Sequence, residues 1–210
     1  GGRLPFRWVF PLRWIPLIPL LFTVTACKPD MDRWIMWHIY VSMDPQIQSV
    51  TMGSPFPPEY VAALISLESN PPGNPDSERF ERSVHERLLD LKYRGKGFGG
   101  LDRKRIRVRS DQELARLATS YGLTQIMGYH CLTLGCRVKE LKGENQLQWA
   151  VRYMENHYGR HARRQDWETC FRIHNTGHPT GITPRRDYVE RGLLRMDYYR
   201  EWMVREGSPF

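Results

Sequence analysis

The chain has 210 residues, enough for one ordinary domain with an additional segment. Apolar residues make up 40% of the sequence and charged residues 26%, a balance that excludes an intrinsically disordered chain. The 31 basic and 23 acidic residues give a formal charge of +8, which suits nucleic acid, anionic lipid or cell wall without selecting one of them. Arg3, Arg7 and Arg13 precede Cys27 and no acidic residue does, so the remainder carries +5.

The first 27 residues have the layout of a bacterial lipoprotein signal. Basic residues precede an apolar run from Trp14 to Val24, and small residues then lead to Cys27. The run is shorter than the ~20 residues that a membrane-spanning helix needs. We therefore expect residues 1–27 to be a hydrophobic signal or anchor, with Cys27 as the lipidation candidate. Three prolines in the run oppose a helical signal, so an uncleaved anchor and a segment held in a larger assembly are alternatives.

Residues 28–57 are predicted to form an apolar segment followed by a linker. The stretch from Trp34 to Met43 is aromatic, as segments at a membrane interface often are, but a helix that packs on the domain is the simpler interpretation. The stretch from Pro45 to Pro58 is rich in Pro, Ser and Gly, which predicts a linker. We therefore expect the main domain to comprise residues 58–210.

A short apolar helix is predicted to begin at Pro57-Pro58, because proline suits the first turn of a helix. Val61, Leu64 and Glu68 fall on one side of this helix. The run Asn70–Pro75 ends it abruptly, so Glu68 lies in the last turn, next to a sharp loop. The fold class is mainly α, with further helices predicted at 77–91, 111–120, 146–158, 166–174 and 185–202.

The segment Lys92–Arg109 is rich in glycine and then in basic residues, which predicts an exposed loop. Alternating apolar residues give Arg105–Arg109 a weak strand pattern. The charge of the segment has three interpretations: a solvated surface, a cover over a cleft, or a contact with an anionic wall polymer. Nucleic-acid binding through Arg103–Arg109 is not expected, because no recognised nucleic-acid module accompanies it.

Three cysteines follow Cys27, namely Cys131, Cys136 and Cys170. Cys131 and Cys136 are suited to a disulfide in an oxidising compartment, and three buried thiols are the alternative. The seven His residues lack the spacing of metal ligands, and neither a phosphate-binding glycine loop nor a Gly-x-Ser-x-Gly elbow occurs. The sequence therefore predicts neither a metal nor a cofactor.

Glu68 is the candidate catalytic residue, because it is a carboxyl group on an otherwise apolar helix. Apolar surroundings favour the protonated form of a carboxyl group, and this form donates a proton to a glycosidic oxygen. By itself this position is weak support, since a Glu at a helix end is more often a solvated charge.

Four motifs follow one another between residues 68 and 189. They are Glu68-Ser69-Asn70 with the turn Gly73-Asn74-Pro75, then Tyr-Gly-Leu-Thr-Gln-Ile-Met-Gly at 121–128, then His174-Asn175-Thr176-Gly177, and Tyr188-Val189. In this order they resemble the lysozyme-like lytic transglycosylase family, of the soluble-lytic-transglycosylase type. Arg79-Phe80-Glu81 is similar to a phage-associated branch of that family. The resemblance covers about residues 58–200 and implies a lysozyme-like helical domain.

The resemblance implies that Glu68 cleaves the β-1,4 bond between N-acetylmuramic acid and N-acetylglucosamine in peptidoglycan. As an acid it protonates the leaving oxygen, and as a base it then accepts the proton of the muramoyl 6-hydroxyl, so that a 1,6-anhydro ring forms. The substrate-binding residues implied in this way are Ser69, Gly122, Leu123, Gln125, Met127, Asn175, Gly177 and Tyr188. The chain departs from the family at Thr124, which replaces Met, and at His174 and Thr176, which replace Tyr and Ala; the change at His174 alters the expected sugar stacking.

Two alternatives remain open. A muramidase, which uses water, needs a second carboxylate beyond the sugar, and Glu81 is the candidate because it lies in the Arg-Phe-Glu motif. A non-catalytic wall- or membrane-binding module of a virion or envelope assembly would not need Glu68. The enzyme is expected in the periplasm, as a membrane-anchored lipoprotein, or in a virion.

Overall fold

The computed structural model describes residues 30–69 and 72–205, and these form nine α-helices and one small sheet. The helices are α1 (Met31–Thr51), α2 (Pro58–Glu68), α3 (Arg82–Arg94), α4 (Arg103–Arg107), α5 (Asp111–Leu117), α6 (Cys131–Leu134), α7 (Gln146–Ala162), α8 (Trp167–Thr176) and α9 (Tyr188–Arg205). The strands are β1 (Glu78–Phe80), β2 (Thr119–Tyr121) and β3 (Ile126–Met127). The fold is mainly α, as predicted, and none of the described helices has the length and apolar character needed to cross a bilayer. The signal or anchor predicted at residues 1–27, including Cys27, lies outside the described residues.

Helix α1 occupies half of the stretch that was predicted to be a linker. The helix continues through Pro45 to Thr51, although proline removes one backbone donor from its interior. Met36, Ile39 and Ile47 are almost completely buried in the core that α1 shares with α2 and α9, and this burial outweighs the cost of the proline. The predicted linker therefore begins only after Thr51.

A three-stranded antiparallel sheet replaces parts of two predicted helices. Arg79 of β1 lies opposite Ser120 of β2, and Ser120 in turn lies opposite Met127 of β3. The helix predicted at 77–91 therefore starts only at Arg82, and the helix predicted at 111–120 ends at Leu117. Strands of two or three residues are too short for an alternating pattern to identify them in the sequence.

The weak strand pattern at Arg105–Arg109 is wrong, because residues 103–107 form α4. The carboxylate of Asp102 accepts the backbone N–H of Lys104 at 2.9 Å and so caps this helix. Ile106 is fully buried, whereas Val108 is 81% exposed. The two residues therefore do not share a buried face, as an amphipathic strand would require.

Buried side chains form two clusters. The larger cluster comes mainly from α1, α2, α7, α8 and α9 and includes the aromatic residues Tyr60, Tyr158 and Phe171. The smaller cluster includes Leu88 of α3 and Ile106 of α4. Helix α2 lies deep in the larger cluster, where all seven residues of 60–66 are buried. The end of α2 that carries Glu68 is therefore held by the core on several sides.

The three described cysteines are free thiols, so the structure contains neither the Cys131–Cys136 disulfide nor three fully buried thiols. Cys131 and Cys170 are buried, and Cys136 is half-buried. Burial raises the pKa of the Cys170 thiol to about 12, so this thiol stays protonated at neutral pH.

One buried cation joins three helices of the larger cluster. Arg195 of α9 is 3% exposed, and its guanidinium donates to Oδ1 of Asp32 from Nε (2.9 Å) and from Nη2 (2.7 Å). Its Nη1 donates to the backbone oxygen of Ser66 at 2.8 Å and to the Ser66 hydroxyl at 2.9 Å. Burial lowers the pKa of Arg195, and the Asp32 carboxylate opposes this shift. Since Ser66 lies two residues before Glu68, the network fixes the last turn of α2.

We expect Arg195→Ala to lower the free energy of unfolding by about 3 kcal/mol, because the Asp32 carboxylate and the Ser66 carbonyl lose their partner. Urea-induced unfolding followed by circular dichroism measures the change. The matched control is Arg200→Ala on the same helix, which removes ion pairs of a half-exposed cation and should cost less than about 1 kcal/mol. Equal losses for the two variants would contradict the role of Arg195.

Candidate active site

A cleft of about 670 Å³ opens beside the C-terminal end of α2. This volume falls within the range of sites that enclose small ligands or part of a polymer chain. The lining residues are Leu67, Glu68, Arg79, Glu81, Val84, Ser120, Gln125, Met127, Tyr129, His130, Tyr153, His174, Asn175, Thr176, Gly177, Pro184, Arg185 and Tyr188. The cleft therefore brings together residues from all four sequence motifs and from the Arg-Phe-Glu segment.

Ser69 ends α2 directly after Glu68. Its backbone N–H donates to the oxygen of Ile65 at 3.2 Å, and its hydroxyl donates to the same oxygen at 2.8 Å. The hydroxyl also accepts the N–H of Gly73 at 2.7 Å, which holds the loop that follows. Ser69 is buried and does not line the cleft, since its hydroxyl is used by the turn. Ser69 thus fixes the turn that directly follows Glu68.

Tyr188, the first residue of α9, donates its hydroxyl hydrogen to Oε1 of Glu68. The Tyr188 ring is buried and lies edge-on to Phe171, with 6.3 Å between the ring centroids. Burial raises the pKa of Tyr188 well above its ordinary value, and the nearby charge of Glu68 raises it further. Tyr188 therefore remains a protonated donor at neutral pH and holds one carboxyl oxygen. Among the described residues, no side chain or backbone group donates to the other oxygen, Oε2.

His174 links three separate parts of the chain at the wall of the cleft. Its Nε2 lies 2.8 Å from the backbone oxygen of Thr124, and its Nδ1 lies 2.8 Å from the hydroxyl of Tyr158. A carbonyl oxygen can only accept, so Nε2 carries the hydrogen and Nδ1 accepts from Tyr158. Burial lowers the pKa of His174, although the charge of Glu68 opposes the shift. At neutral pH His174 is therefore an uncharged, fixed support and not a proton donor.

Stacked rings form another part of the cleft. His130 lies 4.2 Å from Tyr129 and 4.6 Å from Tyr153, measured between ring centroids, and Tyr153 lies 4.1 Å from His157. Burial lowers the pKa of His130 to about 3, with smaller contributions from His157 and His174. His130 is thus uncharged at neutral pH, and together with Tyr129 and Tyr153 it gives the cleft a wall of aromatic rings.

Gly122 and Leu123 are not among the residues that line the cleft. Gly122 has φ +75°, and a Cβ atom there would lie 2.2 Å from the backbone oxygen of Leu141 and 2.4 Å from Oε1 of Gln146. The same Gln146 oxygen accepts the N–H of Leu123 at 2.8 Å. Close packing therefore requires glycine at position 122, and the substrate contact that the resemblance implies for Gly122 and Leu123 stays a prediction.

Gln125 lines the cleft, but its side-chain amide is already occupied. Nε2 donates to the backbone oxygens of Ser77 (3.1 Å) and Gly122 (3.0 Å), and Oε1 accepts the Ser120 hydroxyl hydrogen at 2.7 Å. The residue has φ 53°, an uncommon backbone conformation that these bonds hold in place. Gln125 thus connects Ser120 of β2 with the backbone at Ser77 and at Gly122. Met127 also lines the cleft.

Besides Glu68, three charged side chains among the described residues line the cleft. Arg79 lies on β1, Glu81 directly follows β1, and Arg185 precedes α9. Nε of Arg79 lies 2.7 Å from Oε1 of Glu81, the candidate second carboxylate. Arg185 pairs with Asp187 at 3.0 Å. Asn175 and Gly177 line the cleft from the end of α8, where both are exposed to solvent.

Several charged, hydroxyl-bearing or aromatic residues line the cleft but were not predicted from the sequence to be site residues. They are Arg79, Ser120, Tyr129, His130, Tyr153 and Arg185. Tyr129 and His130 directly follow the Tyr-Gly-Leu-Thr-Gln-Ile-Met-Gly motif, so this adjacency was an available signal. Tyr153 lies on the buried side of α7 and has no motif to mark it. The described ranges contain no group of three or more His, Cys, Asp or Glu side chains arranged to hold a metal ion.

Comparison with known proteins shows a similarity of fold. No protein-family model matches the sequence, and neither does any curated protein. Among solved structures, the chain is similar to the crystal structure of Burkholderia AP3 phage endolysin, with a TM-score of 0.52 and 23% sequence identity. The similarity covers 75% of this chain and 71% of that chain. The chain therefore has a mainly helical fold similar to that of a phage endolysin.

Proposed function

We propose that this chain cleaves the glycan strands of peptidoglycan as a lytic transglycosylase, with Glu68 as general acid and then general base. The observation that carries the proposal is the position of Glu68 at the end of a buried helix, with its carboxyl group in the cleft and one oxygen held by Tyr188. The fold similarity to a phage endolysin supports the same class of substrate. The reaction needs no cofactor, and it takes place where peptidoglycan lies, in the periplasm or during entry or exit of a virion.

The carboxyl group of Glu68 donates its proton to the oxygen that joins N-acetylmuramic acid to N-acetylglucosamine. The bond between this oxygen and C1 of the muramoyl sugar breaks, and the glucosamine unit leaves with a 4-hydroxyl group. The Glu68 carboxylate then accepts the proton of the muramoyl 6-hydroxyl as its oxygen bonds to C1. Glu68 regains its proton, a 1,6-anhydro ring forms, and no water is consumed.

The surroundings of Glu68 suit this double role. Tyr188 keeps Oε1 in place through both steps, so Oε2 is the oxygen that gives and receives the proton. His130 and His174 are uncharged at neutral pH, so neither competes with Glu68 as a proton donor. The cationic side chains of Arg79 and Arg185 complement the carboxylates that peptidoglycan carries.

A muramidase is the second candidate, because Glu81 lies in the same cleft as Glu68. As a second carboxylate it would activate water or form a covalent intermediate on the opposite face of the sugar. The ion pair with Arg79 engages one of its oxygens, which supports the single-carboxylate reaction as the first candidate.

We expect Glu68→Gln to reduce release of soluble fragments from purified peptidoglycan by about 10²- to 10⁴-fold, because the amide cannot transfer the proton. Mass spectrometry of fragments from the full wild-type chain should show 1,6-anhydro ends. Glu86→Gln is the matched control, since Glu86 is exposed and outside the cleft, and it should leave the rate unchanged. Fragments one water heavier, together with a similar loss in Glu81→Gln, would replace the transglycosylase with the muramidase.

We expect Tyr188→Phe to lower the turnover rate by about ten-fold or more while leaving thermal stability nearly unchanged. The ring still packs on Phe171, but Glu68 loses the hydroxyl that fixes its Oε1 oxygen. Initial rates on peptidoglycan and a thermal unfolding curve measure the two effects. A wild-type rate in this variant would show that the hydrogen bond has no part in the reaction.

A further inference from the structure

The net positive charge of the main body is concentrated in one segment. Lys92–Arg109, here named the basic segment, contains eight basic residues and one acidic residue, a net charge of +7. Outside this segment, residues 28–210 contain 20 basic and 22 acidic residues, a net charge of −2. An even distribution of charge on a solvated surface does not produce this separation.

Most of these cations have no carboxylate partner. Lys92 pairs with Asp111, and both Arg94 and Lys96 pair with Asp90. The other five basic residues of the segment are Arg103, Lys104, Arg105, Arg107 and Arg109, and none of them forms an ion pair with another described residue.

Some of these cations donate hydrogen bonds to backbone carbonyl oxygens, which carry no net charge. Arg103 donates to the backbone oxygens of Lys92 and Tyr93, at 3.3 and 3.4 Å, and Arg105 donates to the backbone oxygen of Leu132 at 2.6 Å. These bonds hold the guanidinium groups in place without neutralising them.

Lys104 and Arg107 are exposed, and their side chains have no hydrogen-bond partner within residues 30–69 and 72–205. The segment therefore presents positive charge that no carboxylate of the described chain neutralises.

The basic segment is anchored to the smaller cluster rather than loose. Phe98 and Ile106 are buried there, and the guanidinium carbon of Arg87 lies 4.1 Å from the centre of the Phe98 ring. The side chain of Asp102 caps α4. A surface that is already ordered loses little conformational freedom when a ligand binds.

The basic segment also adjoins the cleft. The Phe98 ring lies 5.2 Å from the ring of Tyr129, which lines the cleft. Arg105 is tied to Leu132, three residues after Tyr129. The segment that carries α4 therefore packs against the wall of the cleft that contains Tyr129.

We propose that the basic segment binds the carboxylate groups of peptidoglycan stem peptides and holds the enzyme on the polymer that its cleft cleaves. This proposal rests on the proposed function, because the choice of peptidoglycan over other polyanions comes from the neighbouring cleft. Lys104 and Arg107 are the residues that bind most directly, since their cationic groups are free.

The test measures sedimentation of the protein with purified peptidoglycan sacculi at about 0.15 M salt, where only charges close to the ligand act. All proteins carry Glu68→Gln, so that binding is separated from cleavage. We expect Lys104→Glu with Arg107→Glu to weaken binding about ten-fold or more. The control is Arg163→Glu with Arg164→Glu, an equal charge change at an exposed site outside the cleft lining, and it should change binding less than two-fold. Thermal unfolding checks that each variant is folded.

Two chemically altered sacculi identify the ligand. Conversion of their carboxylates to amides should abolish the difference between the Lys104/Arg107 variant and its parent. Removal of attached phosphate polymers with hydrofluoric acid should preserve the difference. Equal binding of variant and parent to untreated sacculi overturns the proposal, as does a difference that disappears with the phosphate polymers. A difference seen with nucleic acid and not with sacculi also overturns it.

The two proposals fail in different ways. Absence of cleavage by the wild-type chain, with binding that still depends on Lys104 and Arg107, refutes the enzymatic function and supports carboxylate binding. The cleavage assay uses the Lys104→Glu, Arg107→Glu variant with Glu68 intact. If this variant cleaves sacculi normally, and if the same two substitutions leave binding unchanged in the Glu68→Gln protein, only the proposal for the basic segment is refuted. On short soluble glycan fragments, this variant should match the wild-type rate, because such fragments do not extend to α4.

Discussion

Two side chains of α9 form hydrogen bonds with the last turn of α2, and the geometry of the cleft depends on these bonds. Tyr188 and Arg195 are seven residues apart, so they lie on the same side of α9, two turns from each other. Arg195 binds the carbonyl and hydroxyl groups of Ser66, and Tyr188 binds the carboxyl group of Glu68. The buried ion pair between Arg195 and Asp32 connects the same network to α1. The carboxyl group of Glu68 is thereby fixed at the end of a deeply buried helix, where a helix end would otherwise fray.

The carboxyl group of Glu68 adjoins cleft side chains that burial and hydrogen bonds hold in fixed, uncharged states. The imidazole groups of His130 and His174 are kept uncharged by burial, and the amide of Gln125 is fully used by the backbone and by Ser120. Much of the polar lining therefore serves to shape the cleft. In the proposed reaction, these fixed, uncharged side chains beside Glu68 limit the reorganisation needed when charge develops.

The helices that build the larger cluster were predictable because their apolar periodicity and their ends are local signals. The pattern around Glu68 identifies α2 to within a residue, since Pro57-Pro58 marks its start and the proline-rich run marks its end. The path of α1 through Pro45 was not predictable, because it depends on burial against α9, which is distant in sequence. The sheet was missed for a similar reason, since its strands exist only through their pairing.

For the candidate site, the order of the motifs identified the residues that gather at the cleft but not the direction in which each side chain points. Glu68, Gln125, Met127, Asn175, Gly177 and Tyr188 all reach the lining, whereas Ser69, Gly122 and Leu123 do not. A motif records which positions are constrained, and packing constrains a position as strongly as substrate does. Only the three-dimensional arrangement separates the two causes.

The bonds of His174 restrict which sequences this arrangement can tolerate. The backbone of α7 is kinked at Tyr158, with φ −146° and ψ 17°, and it is there that the Tyr158 hydroxyl donates to His174. A side chain at position 174 must accept from Tyr158 and donate to Thr124 at once, which the two ring nitrogens of a neutral histidine do. We therefore expect the residues at positions 158 and 174 to vary together among related sequences.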